Sequence, residues 1–181
     1  MRKFRVIYVP GLGDPFDSAR RTALWLWKLW GVQVTLVPMR WNTSETYEDK
    51  YLRLIGEIKK HNYVIIIGES AGAAMALRAT NEMNSVKHCI TLCGVCRPTA
   101  HIGDGYSNRA PALRQATKNI PHEHKKAKTI TSFYSPFDVT VIPKNAVAHT
   151  AKRQKIYLPG HMTAIGYGLL VYIPWFLRRF K

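Results

Sequence analysis

Acidic side chains are scarce in this chain: 11 Asp and Glu stand against 27 Lys and Arg, and the formal net charge is +16. Such a surface attracts anions, whether nucleic acid, anionic lipid or an acidic substrate. Cysteine is nearly absent too. Cys89, Cys93 and Cys96 are three, an odd number close together, which excludes a disulfide framework and suits a reducing compartment. Long hydrophobic runs are missing: Met1 to Pro10 holds only a strand-length apolar stretch, with no secretory leader, so a cytoplasmic protein is expected. Repeats, low-complexity segments and linker-like stretches are also lacking. One domain over residues 1–181 is the expectation, long enough to bury a core without staples.

The basic residues are spread out, densest at His122 to Lys128, Lys152 to Lys155 and Arg178 to Lys181, so no arm is dedicated to nucleic acid and none is expected as partner. Cys93 and Cys96 have the C-x-x-C spacing of redox and metal sites, but no second pair completes a zinc site. Cys89 and Cys93 are expected on one face of a strand as small buried hydrophobes. His122-Glu123-His124 lacks further ligands and is expected to be a solvated loop. No metal and no cofactor is expected.

Short β-branched runs alternate with helical patterns along the whole chain. Strands are expected at Val6 to Val9, Val32 to Val37, Tyr63 to Ile67, Lys87 to Leu92, Lys128 to Tyr134 and Lys155 to Leu158. Helices are expected over 16–30, from a cap at Thr43 or Ser44 to about Lys60, from Ala71, over Ala112 to Lys118, and shortly after His161. Residues from Arg97 to about Arg109 are expected to be irregular, with Arg97, Tyr106 and Arg109 near the rim of an open or shallowly covered site. This alternation predicts a parallel sheet in a three-layer α/β/α sandwich. Ligands of such sheets sit beyond the carboxyl ends of the strands.

Chemistry-bearing residues stand at those ends. Gly68-Glu69-Ser70-Ala71-Gly72 lies between a buried strand and a helix, where a tight turn would push the Ser70 hydroxyl out at the top of the sheet. A serine hydroxyl needs a base, and His161 follows the last strand. The imidazole needs a carboxylate to orient it, and Asp138 lies just past the fifth strand. Asp104 is the serious rival for that place; Asp14 and Asp17 lie in the glycine loop after the first strand. Glu69 could meet a cationic substrate group or face solvent, and solvent is favoured.

The serine turn, the aspartate loop, Gly160-His161 and the loop Pro10-Gly11-Leu12-Gly13 together resemble the α/β-hydrolase superfamily, in a minimal, lidless form covering essentially the whole chain. The resemblance implies a six-stranded parallel sheet in the order 2-1-3-4-5-6 and a Ser70, Asp138, His161 triad. It also implies an oxyanion hole made by the backbone amides of Leu12 and Ala71. The expected activity is hydrolysis of a small-molecule acyl ester, ahead of a thioester or peptide. The reading from another class is a non-catalytic protein that binds anionic lipid or nucleic acid through its basic surface. Met162 to Leu177 is largely apolar yet shorter than the ~20 residues a spanning helix needs. It is expected to pack on the sheet as a closing helix; the alternative is a tail resting on an anionic membrane surface.

Overall fold

The computed structural model describes residues 4–100, 103–123 and 128–180. Its strands are β1 (Arg5–Val9), β2 (Val34–Leu36), β3 (Val64–Glu69), β4 (Val86–Leu92), β5 (Thr129–Tyr134) and β6 (Lys152–Lys155). The helices are α1 (Asp17–Leu26), α2 (Tyr47–Ile58), α3 (Gly72–Glu82), α4 (Asp104–Arg109), α5 (Pro111–Lys118), α6 (Pro143–Ala146), α7 (His161–Tyr167) and α8 (Ile173–Leu177). A 3₁₀ turn, Trp27–Trp30, extends α1, and a π-helical stretch, Gly168–Tyr172, joins α7 to α8 without a break. All strand pairs are parallel, in the order β2-β1-β3-β4-β5-β6.

Alternation along each strand divides the core in two. Ile7, Val9, Val64 and Ile66 pack with α2, α3 and α5 on one face of the sheet. Val6, Tyr8, Ile65 and Ile67 pack with α1 and the α7–α8 helix on the other. With both faces covered, β3 is buried along its whole length, which explains its unbroken apolar sequence.

Several local expectations shift. The cap of α2 is Thr46: its hydroxyl accepts from the Asp49 amide at 3.1 Å and the Asp49 carboxylate accepts from the Thr46 amide at 3.1 Å. A reciprocal capping box satisfies two amides and outcompetes Thr43 or Ser44, three and two residues earlier. The last strand lies at Lys152–Lys155 rather than Lys155 to Leu158. It is an edge strand with all four side chains exposed, so it has no apolar alternation to read; basic side chains there also discourage pairing with another chain. Cys89 and Cys93 lie in different cores, because the chain turns after Leu92 and Cys93 takes a φ of +46°. Asp104–Arg109 is helical where an irregular stretch was expected. Among the described residues, no helix is long and apolar enough to cross a membrane.

His88 gives the fold a pH dependence. Its ring lies within hydrogen-bond reach of Thr129 Oγ1 at 2.9 Å and Thr131 Oγ1 at 3.2 Å, with Phe180 packed 4.8 Å away. Burial, with Lys152 nearby, pushes the imidazole down to about 4. An unfolded histidine titrates near ~6.5. Between those values the unfolded chain binds a proton that the folded one refuses. Stability from neutral His88 is therefore complete above the unfolded value and is lost as pH falls towards the folded one. From about pH 7 to about pH 4.5 the loss approaches ~2–3 kcal/mol. Urea unfolding should lose that much more over this interval in the wild type than in His88→Phe; parallel losses would refute the assignment.

Candidate active site

The turn at Ser70 is dictated by space. α3 starts directly against the end of β1, and a Cβ on Gly72 would collide with the Val9 carbonyl oxygen. Ser70 itself has a φ of +47°, in the left-handed region, a conformation that costs a non-glycine residue about 1–3 kcal/mol. Its own backbone holds it there: the Ser70 amide donates to Leu92 O at 3.0 Å, and the Val95 amide donates to Ser70 O at 2.9 Å.

Ser70, His161 and Asp138 form one hydrogen-bonded chain. His161 Nε2 lies 2.9 Å from Ser70 Oγ, and His161 Nδ1 lies 2.6 Å from Asp138 Oδ2. Asp138 is buried, and its Oδ1 accepts from the Thr140 and Val141 amides at 2.9 and 3.0 Å. A carboxylate at Nδ1 favours a proton on that nitrogen, and in the neutral ring this turns the Nε2 lone pair towards the serine hydroxyl. The loops bearing these groups are tied together by Ser135, whose hydroxyl donates to Leu158 O at 2.7 Å and accepts from the Phe137 amide at 3.0 Å.

Two of the rivals for the carboxylate are engaged elsewhere. Asp14 accepts from the Trp41 and Asn42 amides, each at 3.0 Å, and Asp17 pairs with Arg20 at 2.9 Å. The Asp104 side chain and all of His124 lie outside the described residues.

The loop after β1 comes close to the serine: a Cβ on Gly11 would lie 2.7 Å from Ser70 Cβ. Leu12 and Ala71 both border the same cavity as Ser70. Among the described residues neither amide donates a hydrogen bond, leaving two N–H groups free beside the serine. Trp41 Nε1 donates to Pro10 O at 3.0 Å and fixes the start of the loop.

Glu69 does not face solvent; it is 1% exposed. Arg20 donates from Nε to Glu69 Oε2 at 2.9 Å and from Nη2 to Oε1 at 2.6 Å, and the Tyr8 hydroxyl donates to the same carboxylate. The guanidinium also donates to Leu12 O at 3.0 Å and Gly13 O at 2.9 Å. One buried arginine thus clamps the residue before the serine to the loop carrying the Leu12 amide. Burial opposes the charge on Arg20, but its bonds to Glu69 outweigh it and raise its pKa. Burial and the neighbouring Glu69 push the Tyr8 phenol well above its ordinary range. Sequence reasoning missed Arg20 and Tyr8; the only local hint was Asp17 one helical turn before Arg20.

The cavity above Ser70 measures about 340 Å³ and is mainly apolar, with Val95, Tyr106, Leu113, Val141, Met162 and Ile165 in its wall. Tyr106 is at the site as expected. Arg97 borders a neighbouring cleft with Thr99 and Lys144 that shares Asn145 with the cavity, and Arg109 is exposed on α4 and is not part of the described lining. Cys93 is close: its sulfur lies within 4.8 Å of donor atoms of Asp138 and His161. These three could in principle ligate a metal. Both Asp138 oxygens and His161 Nδ1 are already committed to hydrogen bonds. Burial, with Asp138 nearby, also pushes the thiol up to about 12, so it is a protonated filler.

The sequence matches no protein-family model and no curated protein. In three dimensions it is similar to an α/β-hydrolase enzyme from the metagenome of lagoon sediments at Mar Chica, Morocco. The TM-score is 0.63 at 17% identity, covering 99% of this chain and 93% of that one. It is also similar to human thioesterase 2, with a TM-score of 0.66 at 13% identity and 98% and 95% coverage. A third similar structure is the bottromycin epimerase BotH in complex with bottromycin A2, with a TM-score of 0.67, 11% identity and 99% and 91% coverage. At these identities the likeness is one of fold.

Proposed function

Starting from an α/β-hydrolase fold, we propose that this protein is a serine hydrolase that cleaves a carboxylic ester through an acyl-enzyme on Ser70. The reading is carried by the Ser70–His161–Asp138 chain opening into an apolar cavity beside two unpaired amides. The epimerase neighbour is a reminder that fold does not fix reaction. A base–hydroxyl–carboxylate chain with free amides nearby is the machinery of acyl transfer.

His161 Nε2 takes the Ser70 proton as Oγ attacks the acyl carbonyl. The Leu12 and Ala71 amides hold the oxyanion of the tetrahedral intermediate, each worth about 3–4 kcal/mol if well aimed. The imidazolium, stabilised by Asp138, then protonates the leaving alkoxide. Water repeats the sequence in reverse and releases the acid. Arg20 acts as a positioning residue through the loop it holds. A cavity of about 340 Å³ suits a short acyl group, with the leaving group directed outwards. An ester is favoured over a thioester, and a peptide least. Three buried, free cysteines support the cytoplasm as the setting.

The test is labelling with a fluorophosphonate, which reports an activated serine without knowledge of the substrate. Wild type should label, while Ser70→Ala and His161→Ala should not; a panel of short acyl esters and thioesters then ranks substrates. A folded wild type that resists labelling would overturn the proposal.

A further inference from the structure

The α7–α8 helix is apolar on both sides. Ala164, Ile165, Leu169, Ile173, Phe176 and Leu177 are buried against the sheet. Yet the opposite stripe, Tyr167, Leu170, Val171 and Trp175, is exposed and recurs at helical spacing. A surface helix normally turns polar residues outwards, and one that is apolar all round has a second partner. α1 and its 3₁₀ extension repeat the pattern alongside. Leu24 and Trp27 face the core, while Trp25 (59% exposed), Leu26, Leu29 (81%) and Trp30 do not. The two elements are joined: Trp27 Nε1 donates to Leu169 O at 2.8 Å, and the Arg178 guanidinium lies 5.9 Å from the Trp30 ring. Together they make one apolar, tryptophan-rich layer on the outside of the molecule.

The charge of this layer has one sign. No Asp or Glu occurs between Asp17 and Glu45, and none after Asp138. Asp17 is paired to Arg20. The basic groups sit over the indoles: Lys28 lies 5.8 Å from the Trp25 ring and Arg179 lies 5.1 Å from the Trp175 ring. Indoles flanked by cations suit the boundary between acyl chains and anionic headgroups. A second copy of the chain would bring like charges together with no acid to neutralise them. A nucleic acid would leave the apolar stripe uncovered. With no described helix able to span, contact would be along the surface.

We infer that the outer face of α1 and α7–α8 is a docking surface for an anionic lipid bilayer. The inference does not depend on the hydrolase reading. Met162, exposed at the start of the same helix, also lines the cavity, so docking would bring the membrane beside the cavity mouth.

The experiment is co-sedimentation of the full chain with vesicles of phosphatidylcholine alone and with about one third phosphatidylglycerol. The anionic vesicles should bind at least about tenfold more tightly, with a blue shift of tryptophan emission. Trp25→Ala with Trp175→Ala should weaken that binding on the order of tenfold while fluorophosphonate labelling in solution stays unchanged. If that pair fails to fold, Leu170→Ser with Val171→Ser asks the same question. The inference is overturned by absent binding, or by vesicle binding indifferent to these substitutions. It is equally overturned if the wild type dimerises through this face, or binds an RNA homopolymer with the same sensitivity to the tryptophan pair.

Discussion

Asp138→Asn should lower kcat on a short acyl ester by about 10⁴-fold while leaving the fold intact. The substitution changes almost no volume, so the effect would be one of proton placement. Oδ1 of Asp138 accepts from the amides of Thr140 and Val141, at 2.9 and 3.0 Å. An asparagine must therefore turn its carbonyl oxygen towards those two donors. Its NH₂ group then faces His161 Nδ1, where the aspartate oxygen stands 2.6 Å away. Two donors cannot share that contact, so Nδ1 gives up its proton and Nε2 carries it instead. Protonated Nε2 can no longer accept from the Ser70 hydroxyl across 2.9 Å. The base is present but holds its proton on the wrong nitrogen. Steady-state kinetics with thermal melting of both proteins checks this. A drop of less than about tenfold with an unchanged melt would mean that Asp138 does not orient the base.

Glu69→Ala should cost about 3–5 kcal/mol of stability, because it leaves the Arg20 guanidinium buried without its bidentate carboxylate. Arg20 keeps only Asp17 and two loop carbonyls as partners, and the Tyr8 hydroxyl loses its acceptor. Removing both charges is expected to be milder: Arg20→Met with Glu69→Leu should recover much of the loss, and adding Tyr8→Phe should recover more. Urea denaturation measures each step. Additive losses in the double variant would show that the pair is not coupled. Activity should separate from stability in this series. With Arg20 gone, the Leu12 and Gly13 carbonyls lose their anchor, so kcat should fall while KM changes little.

Whereas the strand order came from the family resemblance, that the sheet is parallel follows from short apolar runs closed by glycine or proline and followed by helical patterns. Such signals are local: a run of four β-branched residues is a strand wherever it lands, and glycines on either side of Ser70 mark a turn too tight for a Cβ. They were enough to put Ser70, Asp138 and His161 on the carboxyl side of the sheet. What they could not provide was distance. Glu69 looked like a residue for solvent because its partners Arg20 and Tyr8 are 49 and 61 residues away in sequence. A charge is buried only when the fold delivers its counterpart. β6 was misplaced for a related reason, since an edge strand with four exposed side chains has no apolar face to announce it. For Met162 to Leu177 the sequence left two readings open, a closing helix packed on the sheet and a tail resting on an anionic membrane surface. Composition alone decided that α1 and α7–α8 would be apolar and this surface cationic; only tertiary packing decided which apolar side chains the sheet would cover and which it would leave outside, because one sheet face can cover only one side of a helix.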